Sequence, residues 1–179
     1  MGLYERIAPH LPPSQKSRPS TVVDSSLVQP GMIITLNIPN CGEGNTLGLV
    51  VTTSDTTAVV AAIVAPDMTL ATTRDICVPV RFPSESQPSG LTVVVAVDIV
   101  ASLAKNRLAG AKLLGFAPDD THLLTLIMWG HQDSEESLTN SAHSAGYATG
   151  LNAISDTELA RRTKIVRALA AAAWADLDD

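Results

Sequence analysis

The fold is decided by residues 48–66, which read GLVVTTSDTTAVVAAIVAP. Residues 49–51 form an apolar run, Ser54 and Asp55 are typical of a turn, and residues 58–64 form a second apolar run rich in β-branched side chains. This pattern predicts a β-hairpin. Because both faces of each strand are apolar, neither face is suited to contact with water. We therefore expect the hairpin to lie at the centre of the fold.

The composition is that of a single domain with little charge. The chain has 179 residues, of which 45% are apolar and 17% are charged, whereas about 25% charged residues is usual for a soluble protein. The net charge is −6, and this argues against a protein whose main activity depends on contacts with phosphate groups.

The sequence carries no signature for a metal or a cofactor. Cys41 and Cys77 do not lie in a metal-binding spacing, and we expect two free thiols in a reducing compartment. The first residues lack the apolar region of a signal peptide, and no stretch of about 18 residues is apolar enough to span a membrane. We therefore expect no membrane association, and a location in the cytoplasm or inside an assembled particle.

The pattern along the chain predicts four segments. Residues 1–27 are rich in proline and polar residues and form an extended arm. Residues 28–130 contain the predicted strands and form the main domain. Residues 131–154 are rich in Ser, Asn and Gly and are predicted to be a linker. Residues 155–179 form a last helix. It begins with a capping box from Ser155 to Glu158, and its apolar stripe consists of Leu159, Ile165, Val166 and Leu169.

The main domain is predicted to be mainly β. Further strands are expected at residues 32–38, 75–80 and 91–97, residues 98–108 show helical spacing, and a short helix is expected to begin near Asp120. Short, mostly sequential strands with a late helix favour a small, bent antiparallel SH3-like barrel. The arm and the C-terminal helix are additions to it.

The order of these pieces over residues 28–130 resembles the MazF/PemK and CcdB toxin superfamily. The resemblance is carried by a Pro-Gly strand start, a Gly-Glu loop, an Ala-Pro strand end followed by a threonine, and a Gly-Leu strand that ends in an aspartate, at residues 30–33, 42–43, 65–69 and 90–98. It implies a small β-barrel that acts on a macromolecule, either as an endoribonuclease or by binding a protein target.

The ribonuclease branch implies three candidate catalytic residues. Leu47 stands where that branch has a catalytic arginine, and Thr69 stands near its threonine or serine. Arg74 and Arg81 are the nearest cations that could replace the arginine. The loss of one such donor removes on the order of 3 kcal/mol of transition-state stabilisation. An active site built on Thr69, Arg74 and Arg81 is therefore expected to be degenerate.

Two further surfaces are candidates for binding. The CcdB branch uses a Trp-Gly pair near its last helix, and Trp129-Gly130 stands at the corresponding point here, although a core tryptophan before a helix-ending glycine would have the same sequence. A basic cluster on the last helix is a candidate for contact with RNA or an acidic partner, although the sequence favours a solvated face of an amphipathic helix. Its members are Arg161, Arg162 and Lys164, with Arg167 beside them.

Two functions therefore remain open. The first is a toxin-like barrel that binds a macromolecule, with endoribonuclease activity if it is an enzyme. The second is a non-enzymatic structural or assembly subunit, for example of a virus-like particle, which uses its arm and helix for contacts between subunits. Both predict a homo-oligomer, and they differ in whether cations converge in a groove.

Overall fold

The computed structural model describes residues 22–39 and 46–177. Within these residues the chain forms seven β-strands and three α-helices. The strands are β1 (Met32–Leu36), β2 (Thr46–Thr53), β3 (Thr57–Ala65), β4 (Asp75–Pro79), β5 (Thr92–Ala104), β6 (Leu113–Phe116) and β7 (Ala148–Thr149). The helices are α1 (Thr121–Trp129), α2 (Glu135–Ser144) and α3 (Asp156–Ala175).

The strands form one antiparallel sheet in the order β6-β1-β2-β3-β5-β4-β7. A backbone bridge joins Arg81, which follows β4, to Phe116 of β6, so the two sides of the curled sheet approach each other. The predicted fold class, mainly β with a bent antiparallel sheet and a C-terminal helix, is confirmed. Closure into an SH3-like barrel stays a prediction.

The central hairpin lies where the sequence predicts it. The backbone N–H of Ser54 donates to the carbonyl of Thr57 over 2.9 Å and closes the turn between β2 and β3. Alternate residues of the sheet belong to two separate apolar cores, so that Leu49 faces one core and Val50 the other. The core that contains Leu49 is covered by α1 and α2, and the core that contains Val50 is covered by α3. The hairpin is apolar on both faces because each face packs under a helical layer.

The predicted linker at 131–154 is wrong. This segment contains α2 and β7, and β7 pairs with β4 at the edge of the sheet. Ser134 caps α2, because its hydroxyl accepts from the N–H of Ser137. Only Leu138 and Ala142 of α2 are buried. Most of the helix is polar because most of it faces solvent, and so its composition resembles that of a linker.

The predicted helical spacing at residues 98–108 is also wrong, because β5 continues to Ala104. The second half of β5 pairs with the beginning of β3, with Val100 opposite Ala61 and Ala104 opposite Thr57. The register then jumps, so that Ile63 lies opposite Val95. This irregularity interrupts the two-residue alternation by which a strand is recognised in a sequence.

The predicted boundary of the arm needs a smaller correction. Residues 1–21 of the arm lie outside the described part, but Val23 is buried, and its backbone N–H bonds the carbonyl of Ala111 over 2.8 Å. The end of the predicted arm, residues 22–27, is therefore packed on the domain. Helix α3 begins at the predicted capping box, since the hydroxyl of Ser155 accepts from the N–H of Glu158. No described helix is long and apolar enough to cross a membrane.

Candidate functional site

Arg74, the first candidate catalytic cation, is fully engaged in holding the fold. Its Nε and Nη2 donate to the two carboxylate oxygens of Asp98 over 3.0 and 2.7 Å. Its Nη1 donates to the carbonyl of Asp133 over 2.7 Å, and Nη2 also reaches the carbonyl of Gly130 over 3.0 Å. The hydrogen bond to Asp98 raises the pKa of Arg74 above the usual value for an arginine. This guanidinium joins the sheet to the turn between α1 and α2.

Arg81, the second candidate cation, is not brought into a common groove with Arg74. Thr69 lies in the turn Met68–Leu70, where its carbonyl accepts from the side-chain amide of Asn152. Arg81 lies over the ring of Phe116, 4.9 Å from the ring centre, and donates to the carbonyl of Glu85. The two arginines stand at opposite ends of β4, about 20 Å apart for an extended chain of this length. Their cationic groups therefore do not converge on one phosphate.

Trp129 is the last residue of α1 and is half-exposed, and Gly130 caps the helix. The Trp129 side chain is 51% exposed, with its ring centre 6.4 Å from that of His131, so it is not a core anchor. Gly130 is buried, and a Cβ there would lie 3.0 Å from Leu138 and 3.2 Å from Val97. A side chain at this position would therefore separate the turn from β5. A binding role for Trp129 stays a prediction.

Arg162, from the predicted basic cluster, is buried and paired. Its Nη1 and Nη2 donate to the two carboxylate oxygens of Asp75 over 2.8 and 2.7 Å. Asp75 also accepts from the backbone N–H and the hydroxyl of Thr72. Among the described residues no buried side-chain polar atom lacks a hydrogen-bond partner. Arg162 therefore joins α3 to the start of β4 and does not reach a partner molecule.

Arg161 extends this network towards β3. It donates to both carboxylate oxygens of Glu158 and, over 2.7 Å, to the carbonyl of Val64. Glu158 also accepts from Nε of Arg162. Burial raises the pKa of Glu158, but the hydrogen bonds from the two arginines outweigh it and leave that pKa lowered. In contrast, Lys164 lies exposed, so the predicted cluster is divided between a structural pair and a solvated cation.

The other end of α3 is held by Asp176, which follows the helix. Its carboxylate accepts from the backbone N–H of Ala104 and from Nε of Arg107, each over 2.7 Å. Burial raises the pKa of Asp176, but these two hydrogen bonds outweigh it and leave that pKa lowered. Polar contacts therefore attach both ends of α3 to the sheet, while Ile165 and Leu169 pack between them.

The opposite side of α3 displays apolar side chains to solvent. Leu159 is 53% exposed, Val166 43%, Trp174 70% and Leu177 75%. The first three form a line along the helix with two small residues between them, and Leu177 follows just past the end of the helix. We call this set the outer row: Leu159, Thr163, Val166, Ala170, Trp174 and Leu177. The predicted stripe combined members of two faces, because Ile165 and Leu169 are buried whereas Leu159 and Val166 are not. In the sequence, the seven-residue interval between Leu159 and Val166 is about two helical turns, and this indicates that the two side chains lie on the same face of the helix.

A second surface feature is an open cleft between α1 and α2, with a volume of about 850 Å³. The hydroxyl of Tyr147 donates to Asp120 over 2.8 Å at its edge, and Asp120 also caps α1. The pKa of Tyr147 is raised to about 12, mainly by burial and secondly by this hydrogen bond. Within the described residues no group of three His, Cys, Asp or Glu side chains could hold a metal ion.

Comparison with known proteins found no match among family models, curated proteins or solved structures. Any function therefore has to be inferred from the structure itself. It defines a curled antiparallel sheet between two helical layers, with one layer made by a helix whose outer side is apolar.

Proposed function

We propose that this protein is a non-enzymatic assembly subunit that binds further copies of itself through the outer row of α3. The observation that carries this proposal is the exposure of Leu159, Val166 and Trp174 along one side of α3, with Leu177 exposed just past the end of the helix. Scattered exposed apolar residues are normal on a protein surface, but an aligned set is typical of an interaction site. Aromatic residues such as Trp174 are also the commonest anchors of interfaces.

The polar contacts that attach both ends of α3 to the sheet support this proposal. Asp75 and Glu158 hold the beginning of the helix through Arg161 and Arg162, and Asp176 holds its end. A contact surface that is already ordered loses little conformational entropy on binding. The buried polar network thus displays the outer row in one orientation.

The engagement of the candidate cations also favours assembly over catalysis. The guanidinium of Arg74 is bonded to Asp98 and to backbone carbonyls, and Arg81 lies at the other end of β4. Catalysis of phosphoryl transfer requires donors that converge on the reacting phosphate. The two candidate arginines offer no such convergence.

A second candidate function rests on Trp129. Its half-exposed ring at the end of α1 is available to a macromolecular target, as the resemblance to the CcdB branch implies. For this function, expression of the protein should arrest cell growth, and Trp129→Ala should abolish the arrest while Trp174→Ala retains it.

The proposed assembly is tested by light scattering on the full chain over a range of concentrations. We expect a mass above that of the monomer, and we expect Trp174→Glu to restore the monomer because it places a charge in the contact. Ala175→Glu is the matched control, since it adds the same charge to an exposed position of the same helix turned away from the outer row. A monomer at every concentration would overturn the proposal, and so would equal effects of the two variants.

A further inference from the structure

The open cleft between α1 and α2 has the size of a ligand site and is separate from the outer row. Its volume of about 850 Å³ lies within the range of clefts that hold small organic molecules, roughly 300–1,000 Å³. It lies between the first turns of α1 and the last turns of α2, where Ser141, Ser144 and Ala145 are too small to fill it. The lining residues belong to these two helices and their ends, so a ligand here does not depend on self-assembly through α3.

One carboxylate gives this cleft its charge. Asp120 lines the cleft, and its side chain is 28% exposed. Its oxygens accept from the backbone N–H of His122 and from the hydroxyl of Tyr147, and the bond from Tyr147 is the main cause of the lowered pKa of Asp120. The group is therefore ionised at neutral pH. A carboxylate can accept about four hydrogen bonds, so the exposed side of Asp120 has capacity for a further donor.

The rest of the lining favours a cation over an anion. Among the described residues that line the cleft, none is a lysine or an arginine. Helix α2 ends in the cleft at Ser144, and the C-terminal end of a helix carries partial negative charge. The positive end of α1 is capped by Asp120 itself. His122 is the one titratable side chain beside this carboxylate, with its Nδ1 3.6 Å from Oδ1, and a histidine is largely neutral at about pH 8.

We infer that this cleft binds an organic ammonium ion, with the charged group at Asp120 and the apolar body against Leu126 and Ala145. The hydroxyls of Thr125 and Ser141 line the same cleft and supply further acceptors. A hydrogen bond from an ammonium group to a carboxylate is stronger than one between neutral groups. A neutral alcohol of the same shape reaches the same acceptors without this gain, and an anion is repelled. The charge of the end group therefore selects the ligand.

The experiment compares three probes that share an indole ring and differ in the charge of the end group: tryptamine, tryptophol and indole-3-acetate. Ligand-observed NMR titrations on the full chain at about pH 8 give the dissociation constants, whatever the size of the assembly. We expect saturable binding of tryptamine, about fivefold or more tighter than that of tryptophol. Indole-3-acetate should bind most weakly of the three.

Variants locate the binding in the cleft. Asp120→Asn keeps a residue that caps a helix well, and it should reduce the affinity for tryptamine to that for tryptophol. Asp119→Asn is the matched control, because it removes the same charge from the neighbouring exposed residue outside the lining, and it should change the affinity by less than about twofold. Ser144→Leu leaves Asp120 intact and fills the cleft, so it should abolish binding even if Asp120→Asn fails to fold.

Four results would each overturn the inference. They are the absence of saturable tryptamine binding up to roughly 10 mM, equal affinities for tryptamine and tryptophol, equal effects of Asp119→Asn and Asp120→Asn, and unchanged binding in Ser144→Leu. The third would mean that tryptamine responds only to the net charge of the protein. Since none of these measurements concerns α3, each of the four results leaves the proposed self-assembly standing.

Discussion

Arg162 and Asp75 form a buried ion pair with two parallel hydrogen bonds, 2.8 Å from Nη1 to Oδ1 and 2.7 Å from Nη2 to Oδ2. Asp75 has no exposed surface, and Arg162 is nearly as buried. Planar two-point pairing of this kind fixes orientation as well as distance. The pair therefore sets the position of α3 on the sheet, and with it the direction in which the outer row faces.

Removing Arg162 should strongly destabilise the protein. We expect Arg162→Met to lower the free energy of unfolding by about 3–5 kcal/mol, because the carboxylate of Asp75 is left buried without its cation. Chemical denaturation measures this loss. Arg167→Met, at an exposed position of the same helix, is the control and should change stability by less than about 0.5 kcal/mol. Similar losses in both variants would show that the pair does not hold α3.

Stability should fall in acid partly through Asp176. Its pKa is lowered in the folded protein, so its contribution is fully present above the unfolded pKa of about 4 and is lost as the pH falls through the folded value. We therefore expect Asp176→Asn to be less stable than the natural protein at pH 7, and the difference to shrink below about pH 4. Urea unfolding across this range measures it. Asp55→Asn, at the exposed hairpin turn, is the control and should change stability at pH 7 by less than about 0.5 kcal/mol.

The fold was predictable from sequence where burial is nearly complete. The central hairpin is apolar on both faces, so its position and its environment followed from residues 48–66 alone. Helix α2 was missed because only Leu138 and Ala142 are buried in it, and two apolar residues do not make a recognisable period. The second half of β5 was missed because a register shift against β3 removes the alternation.

The candidate site shows the same division between local and distant information. Arg162 lies three residues before Ile165 and seven before Leu169, so helical periodicity alone places it on the buried face. Its partner Asp75 is 87 residues away in the chain, and no local pattern indicates that contact. The basic cluster therefore looked like one surface although its members face different environments.

The bond between Tyr147 and Asp120 should be visible in an alkaline titration. The chain has two tyrosines, and the pKa of Tyr147 is raised to about 12, first by burial and then by the bond to Asp120. We expect phenolate absorbance to show this group titrating near 12, and stability to fall as the pH rises from about 10 to 12, because the unfolded chain ionises first. In Asp120→Asn the pKa should fall only in part, since burial remains. Tyr147→Phe identifies which part of the phenolate absorbance comes from Tyr147. If that part titrates near 10 in the natural protein, the assignment is contradicted.

Gly150 should be required for the contact that positions Thr72 beside Asp75. A Cβ at Gly150 would lie 2.1 Å from the carbonyl carbon of Ala71, so the backbone before β4 would have to move. We expect Gly150→Ala to destabilise by about 1–3 kcal/mol or more. Gly110→Ala is the control, because its Cβ meets open space and only its positive φ opposes the change, at a cost of about 1 kcal/mol.

The same variant tests whether this strain reaches the ion pair. Thr72 donates two hydrogen bonds to Asp75, so a shift of Ala71 and Thr72 should weaken the site that Arg162 completes. The losses from Gly150→Ala and Arg162→Met should then be less than additive in the double variant, by about 0.5 kcal/mol or more. Unfolding of the two single variants and the double variant measures this coupling. Strict additivity would mean that the backbone relaxes before the disturbance reaches Asp75, and that β7 and α3 are attached to the sheet independently.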